Sequence, residues 1–393
     1  MISVTRADRS RFTEWYFTVD WPLLTAVFTL LGVGLLLSLS ASPAVAINKE
    51  LATFFFFQRH LIFAIAAIVI VLATSLLGPR QVRQLALFIT IAALAALPLT
   101  LAYGPEIKGA QRWLIVAGLS IQPSEVLKPA FVVFAAWLFA EVKRRPDMPA
   151  LPIASILLGL ALAGLTAQPD IGQAGLLGAT WGLLYILSGA PMLSACVLAV
   201  SGLVGVVAAY FTFPHVAKRL DAFFAGQPAA NSQADRAMQS FIEGGFFGRG
   251  PGEGMIKTRF PDAHTDFIFA VIAEEFGVLA CLFVLALFAF IVVRALLVAL
   301  QEQDEANRLA IQGLALIFGL QALINMAVNV GLLPATGMTL PYVSAGGSSH
   351  VSISVTLGFL LALTRRRATS AVVKQARFFS TTQPSSAMPV APH

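Results

Sequence analysis

Long apolar runs, each about the length of a membrane-crossing helix, alternate along the chain with short polar breaks. The runs predict ten spans, at about 21–42, 60–78, 84–103, 122–141, 151–167, 173–188, 191–213, 265–298, 308–332 and 345–364. The fold class predicted is an all-α polytopic membrane protein, a ten-helix bundle with both termini on one side. One break, 214–264 between the seventh and eighth spans, is too long for a plain connection. Within it, Val216–Phe224 and Ala234–Glu243 have the periodicity of short amphipathic helices lying at the membrane surface. Glycines follow at 244, 245, 248, 250, 252 and 254, a run that can build anion-binding backbone nests or serve as a hinge. No internal repeat of the transporter kind is visible.

Charge orients this pattern. Arg6, Arg9 and Arg11 precede the first span, and Arg365, Arg366 and Arg367 follow the last. Arg80, Arg83, Lys143, Arg144, Arg145, Arg294 and Arg308 fall on the same side, against Lys49, Arg59, Lys108 and Arg112 on the other. The positive-inside rule therefore makes both termini cytoplasmic and the long loop external. The expected division is a cytoplasmic segment 1–20, a membrane domain 21–364, and a basic tail 365–393 rich in Ser, Thr and Pro and expected to be disordered.

Composition agrees. Hydrophobic residues make up 58% and charged residues 12% of 393, with mean hydropathy +0.81. That is about half the charged fraction of a soluble domain. The pI near 9.6 then reflects basic loops facing anionic lipid and not a nucleic-acid partner. Cys196 and Cys281 lie in apolar segments, predicting neither disulfide nor metal site. Ala44-Val45-Ala46 has the form of a signal-peptidase site, but the apolar run before it is long enough to stay as a first helix. No nucleotide-binding or zinc-protease motif is present. Any reaction must be driven by its substrate or by a gradient.

The chemistry gathers near the outer boundary. The stretch 259–277, RFPDAHTDFIFAVIAEEFG, starts polar and turns apolar, with His264, Thr265 and Asp266 at the junction. If the helix includes Asp266, then Ala270, Ala273 and Gly277 lie beneath it on one smooth face. Thr265 as N-cap with Asp266 on the helix dipole is the plainer reading. Glu125 and Lys128, at i,i+3 in the fourth span, can pair either as a structural tie or as part of a site. Arg112 and Asp170 sit in external loops, and Ser348 and Ser349 start the last span after Gly346-Gly347. Five elements thus bring polar groups to one depth, which favours a site. Glu274 and Glu275 lie deeper and are expected to make buried polar contacts between helices.

KGAQRW at 108–113, QPSEVLKP at 122–129, QPDIGQ at 168–173, HTDFIFAVIAEEFG at 264–277 and LPYVSAGGSS at 340–349 together resemble the SEDS (shape, elongation, division, sporulation) family. The resemblance runs from the first span to Arg367. SLSASPAVA, GRGPGEG and PATGMTLP lean towards its division branch over its elongation branch. It implies a peptidoglycan glycosyltransferase that polymerises lipid II at the outer face of the bacterial inner membrane, at the septum. The implied partners are a class B penicillin-binding protein and other division proteins. Asp266 would be the essential carboxylate, with Arg112, Glu125, Lys128 and Asp170 around a central cavity. Ala345, His350 and Thr336 depart from the family pattern at the lip of the site.

On that reading Asp266 is a general base on the acceptor sugar hydroxyl, or a ligand to a divalent cation, Mg or Mn. Arg112 and Lys128 balance the pyrophosphate, with His264, Thr265, Ser348 and Ser349 as further substrate contacts. Pyrophosphate is a ready leaving group, so one carboxylate suffices. A lipid-linked sugar flippase and a non-catalytic division scaffold are the rival readings.

Overall fold

The computed structural model describes residues 10–48, 50–107, 110–116, 118–224, 233–256 and 264–366. Arg6, Arg9, Lys49, Lys108, Arg259 and the tail from Arg367 lie outside them. Thirteen helices occur in the described residues: α1 (Arg11–Thr18), α2 (Trp21–Asn48), α3 (Phe55–Ser75), α4 (Pro79–Tyr103), α5 (Pro123–Arg144), α6 (Ala150–Ala167), α7 (Ile171–Leu187), α8 (Met192–Thr212), α9 (Pro214–Phe224), α10 (Gln233–Gly244), α11 (Ile268–Ala299), α12 (Glu305–Asn329) and α13 (Gly347–Leu363).

A helix stands at each expected span. Seven of them, α2, α3, α4, α6, α8, α11 and α12, are long and apolar enough to cross a membrane. The helices α7 and α13 are apolar but only 17 residues each, and α5 carries Glu125, Lys128, Glu141, Lys143 and Arg144. Burial sorts them. Nearly every residue of α13 is buried, as is α5 up to Glu141, and more than half of α12 is buried. These three pack against one another at the centre, whereas α8 buries none of its residues. A helix apolar all round must have protein or lipid on every side; α8, with Leu193 79% exposed, has mostly lipid.

Three features differ from expectation. The chain is not wholly helical: β1 (Leu114–Val116) and β2 (Leu119–Ile121) form an antiparallel hairpin, turned at Gly118 with φ 78°. Its alternation is too short to stand out between two apolar helices. The second is α1, capped by Ser10 Oγ accepting from Thr13 N at 3.2 Å and anchored by Trp15 Nε1 donating to Ser75 Oγ at 2.9 Å.

The third feature bears on the site. Asp266 lies in a turn at 264–267, before α11 starts at Ile268, and Phe267, not Thr265, occupies the N-cap. The smooth face of Ala270, Ala273 and Gly277 therefore does not continue up to the carboxylate. It is covered by the chain itself, because α10 packs along α11 and a Cβ on Gly244 would overlap the Ala273 carbonyl. α11 breaks at Gly277, whose φ of 78° suits glycine. The break leaves backbone groups without helical partners, and the glycine run supplies them. Arg249 N donates to Glu274 O at 2.9 Å, Gly250 N to Glu275 O at 3.0 Å, and Val278 N to Gly245 O at 3.0 Å. The run meets the break closely at Gly244, Gly248 and Gly254, while residues 245–247 and 251–253 are exposed. Buried Glu274 accepts from Ile256 N at 2.7 Å, and Glu275 accepts from Ser40 Oγ on α2.

At the opposite helix ends, charged pairs tie the bundle: Arg294 to Asp20 at 2.9 Å, Arg365 to Glu14 at 3.1 Å, and Lys143 to Glu305 at 2.9 Å.

Candidate functional site

The starts of α5, α11 and α13 and the end of α12 surround a cavity of about 700 Å3. Its lining includes Arg112, Gln122, Glu125, Gln173, Arg219, Thr265, Asp266, Asn325, Thr336, Gly337, Thr339, Ala345, Gly346 and Ser349. The elements around it are far apart in sequence, and each reaches it through a distinct set of bonds.

The turn carrying Asp266 is held by its backbone. Asn325 Nδ2 donates to Asp266 O at 2.9 Å, and Asn329 Nδ2 donates to the same oxygen at 3.0 Å. Ser344 Oγ donates to Thr265 O at 2.6 Å, and Ala345 N donates to His264 O at 2.8 Å. Two segments, the end of α12 and the loop before α13, thus fix the position of the carboxylate.

Arg112 lies just before the β hairpin. Its Nε and one terminal nitrogen donate to Gln168 O at 3.1 Å and Pro169 O at 2.5 Å. Its other terminal nitrogen lies 3.6 Å from Asp170. Asp170 also accepts from Gln122 Nε2 at 3.2 Å. Burial raises the Asp170 carboxyl above its ordinary pKa, and Arg112 opposes the shift.

Glu125 and Lys128 form the expected pair at 2.9 Å, each side chain 4% exposed. Glu125 also accepts from Gln173 Nε2 at 2.7 Å, and Lys128 donates to Gln321 Oε1 at 2.8 Å. Gln321 passes the chain on to Thr339 O at 3.0 Å, and Thr339 Oγ1 meets Ser349 Oγ at 2.7 Å. Glu125 lines the large cavity. Lys128 does not; it faces a separate space of about 10 Å3 beneath it.

The remaining expected residues divide. Thr265 and Ser349 line the cavity. Ser348 is turned to the hairpin, accepting from Gln122 N at 3.1 Å and donating to Ser120 O at 3.0 Å. His264 lines a neighbouring cavity of about 170 Å3 with Phe56, Arg59, His60 and His350. Trp113, Ala345 and Gly346 border both cavities. His350 meets His60 on α3, their Nε2 atoms 3.0 Å apart, and its Nδ1 is bonded to Gly346 O at 2.7 Å.

Sequence reasoning passed over several groups that line the cavity, as Asn325 and Arg219 do, or support its wall, as Gln321 and Asn329 do. Gln321, Asn325 and Asn329 recur every four residues along α12 and so share one face; three amides at that spacing in an apolar helix were a readable signal. Arg219, on α9, had none, since only the fold of the long loop brings it to the cavity. It is exposed by surface area, and its guanidinium donates to Ala335 O at 3.1 Å. Desolvation by surrounding protein and the charge of Arg112 lower its pKa, while Asp266 and Asp170 raise it.

Among the described residues no three His, Cys, Asp or Glu side chains cluster as metal ligands. The donor set at the cavity does fit a magnesium-type ion that keeps most of its ligands from water and phosphate and takes one carboxylate from protein.

The comparisons bear on this geometry. A relative from Caulobacter vibrioides, named "Probable peptidoglycan glycosyltransferase FtsW", is 42% identical over 363 residues, covering 92% of this chain and 93% of the relative. A protein of the same name from Trichlorobacter lovleyi is 33% identical, covering 87% and 92%. A solved peptidoglycan synthase complex, described as coordinating polymerization and crosslinking, contains a chain that superposes with TM-score 0.71 at 26% identity. The match covers 88% of this chain and 97% of that one. The Thermus thermophilus rod shape determining protein RodA, in a mutant form, superposes with TM-score 0.64 at 25% identity, covering 89% and 99%. The profile of the family described as Cell cycle protein, which takes in FtsW, RodA and SpoVE, matches residues 22–369, and the chain belongs to that family.

Proposed function

We propose that this chain is a peptidoglycan glycosyltransferase that polymerises lipid II at the outer face of the bacterial inner membrane. The observation that carries the reading is a single one: Asp266, on a turn held from two sides, opens onto a cavity it shares with Arg112 and Arg219. Homologues at 42% and 33% identity carry the glycosyltransferase name, and the cavity has the polar groups such a reaction needs.

In the reaction, an acceptor sugar hydroxyl attacks the anomeric carbon of the donor sugar, and the bond from that carbon to the lipid pyrophosphate breaks. Asp266 accepts the hydroxyl proton as the new glycosidic bond forms. The hydroxyl oxygen bonds on the face opposite the pyrophosphate, which departs with the bonding electrons, so the anomeric configuration inverts. Asp266 is the residue that would hold a divalent cation, and such an ion would supply positive charge to offset the pyrophosphate. Glu125 and Lys128 act as a buried brace beneath the cavity and not as free charges. The partner is a class B penicillin-binding protein, with further division proteins at the septum. The helices α5, α7 and α13 complete a ten-span bundle with both termini in the cytoplasm.

The test is polymer formation from lipid II by purified protein with its partner, comparing wild type with Asp266→Asn. Loss of about 100-fold or more in rate is expected for removal of a general base. Equal polymer from both would defeat the assignment. Translocation of the lipid without polymer would favour a flippase.

A further inference from the structure

Resting on the glycosyltransferase reading, we infer that Arg219 is the principal pyrophosphate-binding cation of the site, brought there by α9. Among the described residues Arg112 and Arg219 line the cavity, Lys128 lies beneath it, and Arg59 belongs to the neighbouring cavity with His264. Lys128 is enclosed, bonded to Glu125 and Gln321, and faces away from it. Arg112 is at the wall, but two of its three nitrogens donate to backbone carbonyls and the third faces Asp170. Its charge is matched by Asp170, and two of its five donors are taken by main-chain carbonyls.

Arg219 differs on both counts. Among the described residues no carboxylate lies within ion-pair distance of it, and its one hydrogen bond goes to a neutral carbonyl, Ala335 O. That bond leaves several guanidinium donors open, the arrangement that grips a phosphate through two oxygens. It also aims the group: Ala335 begins the stretch Ala335-Thr336-Gly337, which lines the cavity, and a Cβ on Gly337 would come within 3.9 Å of an Asp266 carboxylate oxygen. The cation and the carboxylate therefore neighbour the two ends of one three-residue stretch of the cavity wall. A leaving pyrophosphate gains negative charge as the bond breaks, so a cation aimed there favours the transition state over the ground state. A pyrophosphate bound by Arg219 would also tie α9 down over the cavity.

Binding separates this from a docking role. Full-length protein carrying Asp266→Asn, which removes turnover from the measurement, is titrated with undecaprenyl pyrophosphate and with undecaprenyl monophosphate in detergent. Arg219→Gln keeps an amide donor for Ala335 O but loses the charge; Arg219→Lys keeps the charge. The expected result is a loss of about 10-fold or more in pyrophosphate affinity for Gln, under about 3-fold for Lys, and a smaller change for the monophosphate. Unchanged affinity in Arg219→Gln overturns the inference and leaves glycosyl transfer standing. So does equal weakening in both variants accompanied by a lower Tm, which marks a tie between α9 and the loop. Failure of the Arg219-containing protein to bind undecaprenyl pyrophosphate at all overturns both readings.

Discussion

At the scale of single residues, the site is organised by which charges are already matched. Glu125 and Lys128 are buried together, and a buried pair is costly to break because the survivor keeps its charge without a partner. Lys128→Met alone should destabilise the protein by about 3–5 kcal/mol, read as a fall in Tm in detergent. Adding Glu125→Gln should restore most of the loss; a double variant no more stable than the single would show that the pair is not the source. The residues themselves were readable from the sequence, since ionisable groups in an apolar span stand out. Their roles were less so. Spacing could bring Lys128 near Glu125, but not show that Gln321 closes off its far side. Arg219 was out of reach because nothing local to PHVAKRLDAFF connects it to Asp266.

At the scale of elements, α12 matters to the chemistry through its amides. Asn325 and Asn329 hold the turn that carries Asp266, so they position the carboxylate. Asn325→Leu removes the bonds to Asp266 O and Met338 O, so that of the two amides only Asn329 still holds the Asp266 carbonyl and the Met338 carbonyl loses its amide donor. A fall in kcat of about 10-fold or more with little change in KM is expected, because displacement of a reacting group by a fraction of an ångström costs rate before affinity. A rise in KM alone would place Asn325 in binding instead. The spanning helices were legible as long apolar runs, and α9 and α10 as short amphipathic ones. The start of α11 was not: HTDF reads as helix onset by composition, yet the backbone bonds to α12 and to the 340–346 loop draw residues 264–267 into a turn. The break at Gly277 was hidden for a similar reason, since it exists only because the glycine run supplies the missing hydrogen bonds.

At the scale of the whole molecule, the proposed topology puts the cavity and the glycine-rich segment 244–256 on one side of the membrane. The charged pairs of Arg294, Arg365 and Lys143 lie on the other. Single cysteines introduced as Ser10→Cys and Glu253→Cys, in a background without Cys196 and Cys281, should react oppositely with a membrane-impermeant maleimide in intact spheroplasts. Glu253→Cys should label and Ser10→Cys should stay protected; the reverse order would invert the orientation, and labelling of both would place the two sites on the same side. The overall plan was legible because hydropathy and basic residues are additive signals, whereas the convergence of loops on one cavity is not. The bonds described around Asp266 have a genetic consequence. They grip main-chain oxygens, which every amino acid carries, so replacing the side chain leaves the surrounding architecture its anchors. A cell making both versions would then hold idle copies that still assemble with whatever the working ones assemble with. Such an allele should poison wall synthesis in the presence of the normal gene, while a variant that unfolds would merely be cleared.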